Sequence, residues 1–198
     1  MPTKIVITGG PSGGKTTLLE TLKRDFSSRI TIVPEAATIV YRGGFPRSID
    51  PLNRRHAQRA ICFIQRELED LAMNEDSSKI IICDRGSLDS IAYWPANAED
   101  FLGSLNTTME AELKRYDWVV HLDTAEGLAF DTLNPIRTES LEEAMELNRK
   151  TKLAWEKHPQ RIIIPHETEF LKKIAQAKIV IEKILAGISY QEIISSFI

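Results

Sequence analysis

The segment Gly9–Thr17, which reads Gly-Gly-Pro-Ser-Gly-Gly-Lys-Thr-Thr, constrains the fold more than any other part of the chain. It contains every fixed residue of the pattern G-x-x-x-x-G-K-[ST]: Gly9, Gly14, Lys15 and Thr16. Glycines at this spacing let the backbone turn tightly and approach an anion, and the start of the following helix attracts negative charge. An apolar run, 5–7, precedes the segment, and leucines recur at helical spacing after it. The segment therefore predicts a strand, a phosphate-binding loop and a helix, in that order.

The loop also predicts how a nucleotide would be held. Its backbone N–H groups form a cradle for an anion, the Lys15 amine reaches the β- and γ-phosphates, and the Thr16 hydroxyl ligates Mg²⁺. We expect nucleotide contacts from a set of loop residues: Gly9, Gly10, Ser12, Gly13, Gly14, Lys15, Thr16 and Thr17. A glycine-rich turn without a ligand is the alternative, which the flanking strand and helix disfavour.

Strand-like and helix-like segments alternate along the chain. The predicted strands are Ile5–Thr8, Ile30–Val33, Ile80–Cys83, Trp118–Leu122 and Arg161–Ile164. The predicted helices are Lys15–Ser27, Asp50–Asn74, Ser104–Arg115, Ser140–Lys157, Glu167–Leu185 and Tyr190–Phe197. This alternation indicates an α/β fold, with a parallel sheet between two layers of helices, in a single domain over residues 1–198. Because such sheets bind ligands at the carboxyl ends of their strands, the residues just after each strand carry the functional predictions.

The composition bears on the class of partner. The net charge of −3 gives no basic excess for nucleic-acid binding. No apolar run is long enough to span a membrane, and we expect no signal segment at the start. Cys62 and Cys83 lie in apolar patterns, which favours reduced core thiols, and the scattered histidines lack zinc-ligand spacing. We expect a cytoplasmic protein that binds a nucleotide and a small molecule.

Charged residues follow the second and third predicted strands. A Glu35 carboxylate after strand two would lie near the phosphate loop, where it could orient or deprotonate an attacking hydroxyl. An Asp84 carboxylate ending strand three is predicted to hold Mg²⁺, directly or through water, and Arg85 to brace a phosphate. The alternatives are an acidic residue favoured by a helix start for Glu35 and a helix cap for Asp84.

A second source of positive charge is predicted on a lid over residues 133–150. Arg137 precedes a helix that opens with Ser140 and Glu143, the spacing of a capping box, and Arg149 lies about three turns further on. An arginine on a closing lid stabilises charge on the transferring phosphoryl group. Solvated surface arginines are the alternative for both positions.

The turns after strands four and five are less informative. Asp123 is interpreted as a helix cap. His166 and Phe170 follow strand five, where they could form a wall for the purine, although an ordinary helix start would explain them equally well.

Residues around the third helical segment are candidates for contacts with a phosphoryl acceptor. Tyr41, Arg42 and Arg47 precede the helix and could meet an anionic or ribosyl substrate. Gln58 and Gln65 lie on one side of its apolar stripe, where amides could hydrogen-bond a base or an amide edge. Solvated polar side chains are the alternative reading for both glutamines.

These motifs, taken in order, resemble a specific group of P-loop NTPases. The segments 9–16, 84–86, 134–138 and 165–170, together with Glu35, are similar to the AAA-type ATP-binding domain family that includes the ribosylnicotinamide kinase domain of bacterial NAD regulators and the TRPL-translocation-defect protein. The resemblance implies a nucleoside/nucleotide-kinase-like strand order 2-3-1-4-5, Mg²⁺-ATP and an arginine lid. In related deoxynucleoside kinases a glutamate after strand two is the base and an acidic–Arg pair follows strand three. Glu35 and Asp84-Arg85 match those positions, but this chain has Asp in the pair and lacks the Glu-Arg-Ser of those kinases.

Two functions are consistent with these residues. The first is a Mg²⁺-dependent kinase that uses ATP to phosphorylate a small nucleoside- or riboside-like metabolite. The alternative is a nucleotide-dependent binding or switch protein that uses ATP or GTP, associates with lipid and has no metabolite acceptor. A Ras-like GTPase is disfavoured because the sequence has no Asn-Lys-x-Asp guanine-reading stretch, and the chain length disfavours a motor-type ATPase.

Overall fold

A parallel sheet lies at the centre of the fold and carries the phosphate loop on its middle strand. The computed structural model describes residues 3–75, 80–124, 140–167 and 169–196. The strands are β1 (Lys4–Thr8), β2 (Ile30–Val33), β3 (Ile80–Asp84), β4 (Trp118–Leu122) and β5 (Arg161–Ile164). All neighbours pair in parallel, in the order β2-β3-β1-β4-β5, which confirms the predicted strand order.

The helices cover both faces of this sheet. They are α1 (Lys15–Phe26), α2 (Ala36–Arg42), α3 (Pro51–Glu75), α4 (Asp89–Tyr93), α5 (Ala98–Ser104), α6 (Met109–Leu113), α7 (Leu141–Ala154), α8 (Phe170–Leu185) and α9 (Tyr190–Ser195). The sequence-based prediction contains no helix at α2 or α4, and it contains only the last residue, Ser104, of α5. None of the helices in the described ranges is long and apolar enough to cross a membrane.

The predicted helix Ser104–Arg115 is wrong, because this stretch contains the end of one helix and the whole of another. Asn97 caps α5 by accepting a hydrogen bond from the Asp100 N–H, and Thr108 caps α6 in the same way. Between them Asn106 has a left-handed backbone, with φ of 51°, which interrupts a continuous helix. By contrast, the capping box of Ser140 and Glu143 at the start of α7 is present as predicted.

The core has two parts, one on each face of the sheet. Leu18 and Leu22 of α1 pack with Ile181 of α8 on one face, while Phe101 and Trp155 are buried on the other. Strand β1 is buried along its whole length, which explains its unbroken apolar sequence. Cys62 and Cys83 are free, buried thiols. Burial raises the pKa of Cys62 to about 12, so that this thiol stays protonated at neutral pH.

The strand register brings several chain segments to one edge of the sheet. Ile7 of β1 is paired with Asp84 of β3 on one side and with Val120 of β4 on the other. The phosphate loop begins immediately after β1. The carboxyl ends of the three central strands therefore meet around the loop, as the rule for ligand sites in such sheets requires.

Candidate nucleotide-binding site

The backbone of the phosphate loop requires glycine where the motif has it. Gly9 and Gly14 have φ of 131° and 92°, in the region that L-residues avoid. A Cβ atom at Gly9 would lie 2.1 Å from the carbonyl oxygen of Leu122, at the end of β4. The loop thus packs so closely against the neighbouring strand end that no side chain fits at Gly9.

Lys15 is held inside the loop that it belongs to. Its amine donates hydrogen bonds to the carbonyl oxygens of Gly9, at 3.0 Å, and Gly10, at 2.7 Å. Burial, and then the positive charge of Arg85, lower the pKa of Lys15, and the carboxylates of Asp84 and Glu35 oppose this shift. A phosphate entering the loop would add negative charge and favour the protonated amine.

Arg85 joins the ends of β2 and β3. Its Nε donates a 2.7 Å hydrogen bond to Glu35 Oε1, and its Nη1 donates a 3.1 Å bond to the Gly9 carbonyl oxygen. Arg85 itself has a left-handed backbone, with φ of 71°, which turns its side chain back over the strand ends. The guanidinium therefore links the Glu35 carboxylate to the phosphate loop.

The two strand-end carboxylates are in contrasting states. Burial, and then the charge of Glu35, raise the pKa of Asp84 to about 6. Burial would also raise the pKa of Glu35, but the charge of Arg85 and hydrogen bonds from Thr38 and Arg85 outweigh it and lower that pKa to about 2. Glu35 is therefore a fixed anion, whereas Asp84 titrates close to neutral pH.

Asp89 is a buried site residue that is not among the candidates predicted from the sequence. Its Oδ1 accepts a 2.5 Å hydrogen bond from Thr8 and a 3.3 Å bond from Arg85. Its Oδ2 accepts from the Gly86 N–H, at 2.9 Å, and from Trp155 Nε1, at 3.3 Å. Asp89 is only 3% exposed, so it braces Arg85 and the end of β1 from behind. Asp89 lies close to Asp84 in the sequence, and this proximity could have marked it as a site residue.

Two helices brace the backbone of the phosphate loop through side chains that sequence analysis missed. Asn148 of α7 accepts a 3.0 Å hydrogen bond from the Gly10 N–H and a 2.8 Å bond from His121 Nε2. Lys173 of α8 donates a 2.9 Å bond to the Gly13 carbonyl oxygen and a second bond to the backbone of Asp123. The loop is thus fixed from outside as well as by its own glycines.

Asp123 takes part in the same brace. Its carboxylate accepts a 2.9 Å hydrogen bond from the Asn148 amide and forms a 2.6 Å ion pair with Lys152. The helix cap predicted at Asp123 would involve the segment after residue 124, which lies outside the described residues. In the described part of the chain, Asp123 anchors α7 to the end of β4.

One cavity of about 1220 Å³ connects the phosphate loop to the predicted acceptor residues. The predicted site residues that line it are Ser12, Gly14, Lys15, Thr16, Thr17, Glu35, Tyr41, Arg42, Arg47, Gln58, Gln65, Asp84, Arg85 and Phe170. The loop glycines 9, 10 and 13 lie behind this surface, and His166 is not part of the wall. The oxygen atoms of Thr16 and Asp84 are of the kind that Mg²⁺ prefers, and both residues face this cavity.

Only part of the predicted lid, residues 140–150, lies within the described residues. Arg137 lies outside the described residues. Arg149 is 61% exposed and forms a 2.7 Å ion pair with Glu146, on a part of α7 that does not line the cavity. Its predicted contact with nucleotide stays a prediction.

The side of the cavity that is predicted to bind the acceptor is formed by side chains from three helices. Gln58, Ile61, Cys62 and Gln65 follow each other along one face of α3, with Tyr41 on α2 and Tyr93 on α4. Arg47 stacks on the Tyr41 ring, with the guanidinium 4.3 Å from the ring centre. The two glutamines are buried rather than solvated, since Gln58 is 5% and Gln65 is 2% exposed.

The strand order, the loop and the strand-end carboxylates together define a P-loop α/β protein with the strand order of nucleotide kinases, a class that binds nucleotides. The sequence matches the model of an AAA domain over residues 4–170. The chain therefore belongs to this AAA domain family. The more specific resemblance to the ribosylnicotinamide kinase domain and to the TRPL-translocation-defect protein stays a prediction.

Solved structures with the same architecture include two thymidylate kinases. The enzyme from Ehrlichia chaffeensis superposes with a TM-score of 0.63 at 18% identity, covering 93% of this chain and 98% of that one. The enzyme from Candida albicans gives a TM-score of 0.59 at 16% identity, covering 92% of each chain. No curated protein matched the sequence. At these identities the likeness shows the fold.

Proposed function

We propose that this chain is a Mg²⁺-dependent kinase that transfers the γ-phosphoryl group of ATP to a hydroxyl of a small nucleoside- or riboside-like metabolite. One observation carries the proposal: the phosphate loop, the Glu35–Arg85 pair and the buried polar face of α3 line a single cavity. A cavity that extends from a phosphate cradle to a separate set of hydrogen-bonding side chains is what a two-substrate phosphoryl transfer needs.

The reaction would form a bond between the acceptor oxygen and the γ-phosphorus and break the bond to the bridging β–γ oxygen, which leaves with ADP. Lys15 and Arg85 offset the charge on the moving phosphoryl group. Thr16 and Asp84 would supply the oxygen atoms that hold Mg²⁺, whose chemistry at this site would be to offset phosphate charge. Arg137 and Arg149 would add positive charge near the γ-phosphate; Arg137 lies outside the described residues, and Arg149 does not line the cavity.

Glu35 is suited to orient the acceptor hydroxyl rather than to remove its proton in advance. A carboxylate with a pKa of about 2 is a weak base at neutral pH. Phosphoryl transfer passes through a loose transition state, in which the nucleophile is little activated and positioning dominates. The acceptor proton would pass to Glu35 late in the transfer and from there to solvent.

The direct test is ADP release by the purified full chain, with Mg²⁺-ATP and a panel of nucleosides and ribosides. We expect at least one acceptor to raise turnover above the basal rate and to yield a product heavier by one phosphoryl group in mass spectrometry. If no member of the panel does so, the proposal of a metabolite kinase is overturned.

The contact between Asn148 and the Gly10 N–H favours a second candidate, a nucleotide-dependent switch, because it links α7 to the phosphate loop. Such a protein changes conformation when the γ-phosphate is present. Hydrogen exchange over α7 in the ADP and ATP-analogue states distinguishes the two candidates. A difference between those states, without any acceptor-dependent turnover, would favour the switch.

A further inference from the structure

The hydrogen-bonding capacity of the Asp89 carboxylate is used up by the protein itself. It accepts four hydrogen bonds, two at each oxygen atom, from the Thr8 hydroxyl, Arg85 Nη1, the Gly86 N–H and Trp155 Nε1. Since a carboxylate offers about four acceptor sites, this one is saturated, although Asp89 borders the cavity. The donors come from β1, from the turn after β3 and from the C-cap of α7, which together fix its position. Asp89 is therefore suited to hold other groups in place rather than to bind a metal ion or a substrate.

The Arg85 guanidinium is held by the protein on three sides. Its Nε bonds to Glu35 at 2.7 Å, and its Nη1 bonds to the Gly9 carbonyl oxygen at 3.1 Å and to Asp89 at 3.3 Å. The guanidinium carbon lies 5.9 Å from the centre of the Tyr93 ring. Within the described ranges, Nη2 makes no hydrogen bond and is not among the polar atoms sealed from solvent. Because Arg85 lines the cavity, Nη2 is the nitrogen whose donors are left for a ligand at the phosphate loop.

Asp89 determines which nitrogen of Arg85 is left for the ligand. An arginine and a carboxylate on their own favour a bidentate pair, with two parallel N–H···O bonds. Here the contact with Glu35 is made through Nε, while Asp89 and the Gly9 carbonyl oxygen hold the Nη1 edge. Asp89 also accepts from the Gly86 N–H, which fixes the peptide next to the left-handed backbone of Arg85. Without Asp89 the guanidinium could turn to close a bidentate pair with Glu35, which would occupy Nη2.

We propose that Asp89 is a positioning residue for the γ-phosphoryl group. It holds Arg85 so that Nη2 donates to an oxygen atom of the γ-phosphate, the group that ATP has and ADP lacks. Asp89 would thus favour the nucleotide that still carries a phosphoryl group to transfer, without touching the nucleotide itself. This inference rests on the proposed kinase function and adds a residue to the groups that handle the phosphates.

The test is calorimetry of the full chain and of an Asp89→Asn variant, with a non-hydrolysable ATP analogue and with ADP, each as its Mg²⁺ complex. An asparagine has nearly the same shape, but it carries no charge and offers one acceptor oxygen instead of two. We expect the affinity for the analogue to fall about tenfold or more, the scale of one hydrogen bond to a charged group, while the affinity for ADP stays within about twofold of wild type. A purely structural role of Asp89 would lower both affinities together and leave their ratio unchanged.

Asp100→Asn is the matched control. Asp100 accepts a 2.7 Å hydrogen bond from Trp94 Nε1 and forms a 2.8 Å ion pair with Arg55, the same kinds of partner, but it does not line the cavity. This variant should keep both affinities.

Each outcome decides between the inference and the function on which it rests. If Asp89→Asn keeps the wild-type ratio of the two affinities, the role of Asp89 is overturned and the kinase proposal stands. If the wild-type chain binds neither nucleotide, the kinase proposal fails and the inference with it. Should Asp89→Asn give no folded protein in a thermal melt, Thr8→Val gives the same test, because it removes the hydroxyl that holds Asp89 Oδ1. The ratio should then fall as well, and an unchanged ratio would overturn the inference.

Discussion

The two halves of the cavity differ in how their polar groups are satisfied before any ligand binds. In the donor half, which is the phosphate loop with Asp84 and Arg85, the Lys15 amine and the Arg85 guanidinium already bond to loop carbonyl oxygens. In the proposed acceptor half, which is the cavity face of α3 with Tyr41 and Tyr93, the Gln58 amide makes no hydrogen bond to any of the described residues. The donor half is preorganised for a single kind of group, whereas the acceptor half leaves its selectivity to a few side chains. Substitutions in the donor half should therefore abolish activity, whereas substitutions in the acceptor half should change which acceptor molecule the protein uses.

The largest effect is expected from Lys15→Ala. We expect kcat/KM to fall by about 10³-fold or more, because the variant loses the cation that meets the β- and γ-phosphates. Calorimetry with an ATP analogue should show no productive binding, and the thermal melt should match that of the wild type. Lys114→Ala, which removes an exposed lysine at the C-cap of α6, is the control and should behave as wild type. Retained ATP affinity in Lys15→Ala would argue against the whole donor half.

Glu35→Gln should have the next largest effect and tests the junction between the halves. We expect kcat to fall by about 10²-fold or more, since an amide replaces the carboxylate that orients the acceptor hydroxyl. ATP affinity should change little. If kcat stays within about twofold of wild type, Glu35 has no catalytic role and serves only as the ion-pair partner of Arg85.

Asp84 should give the donor half a pH dependence. Its pKa is raised to about 6 by burial and by Glu35, and Mg²⁺ binds the ionised form, so protons compete with the metal as the pH falls through that value. We expect the Mg²⁺ concentration for half-maximal activity to rise about fourfold between pH 7.5 and 5.5. Asp84→Asn should need more Mg²⁺ at every pH and lose this part of the dependence. The protonation of ATP itself affects the wild type and Asp84→Asn equally, so the comparison of the two proteins isolates the contribution of Asp84. If their pH profiles are parallel, Asp84 does not bind Mg²⁺ and acts only as a helix cap.

The smallest effect is expected from Asn148→Ala, because Asn148 supports the phosphate loop from α7 and does not line the cavity. Loss of the hydrogen bond to the Gly10 N–H should raise the KM for ATP about fivefold, the usual scale of one such bond. Hydrogen exchange of the loop amides should become faster. Substitution of an asparagine that contacts only solvent would not change this exchange rate. Lys150→Ala on the exposed side of α7 is the matched control. An unchanged KM and unchanged exchange would show that the loop needs no external brace.

The same contrast explains what the sequence could predict. The loop was found because its residues are adjacent and their spacing is set by the ligand, and Glu35 and Asp84 were found because parallel strands end at one edge. Asn148 was missed because its partner Gly10 is 138 residues away, and no local pattern records that contact. Gln58 and Gln65 were equivalent in the helical pattern. Only the packing of Glu69 against one of them separates their roles.

The hydrogen bonds from Lys15 to the carbonyl oxygens of Gly9 and Gly10 turn nucleotide binding into an exchange of partners. A ligand whose phosphate oxygens reach the Lys15 amine would replace these two bonds, so the amine would have hydrogen-bond partners both with and without the ligand. After the ligand leaves, the carbonyl oxygens of Gly9 and Gly10 would again accept from the amine, and no buried charge would remain without a partner.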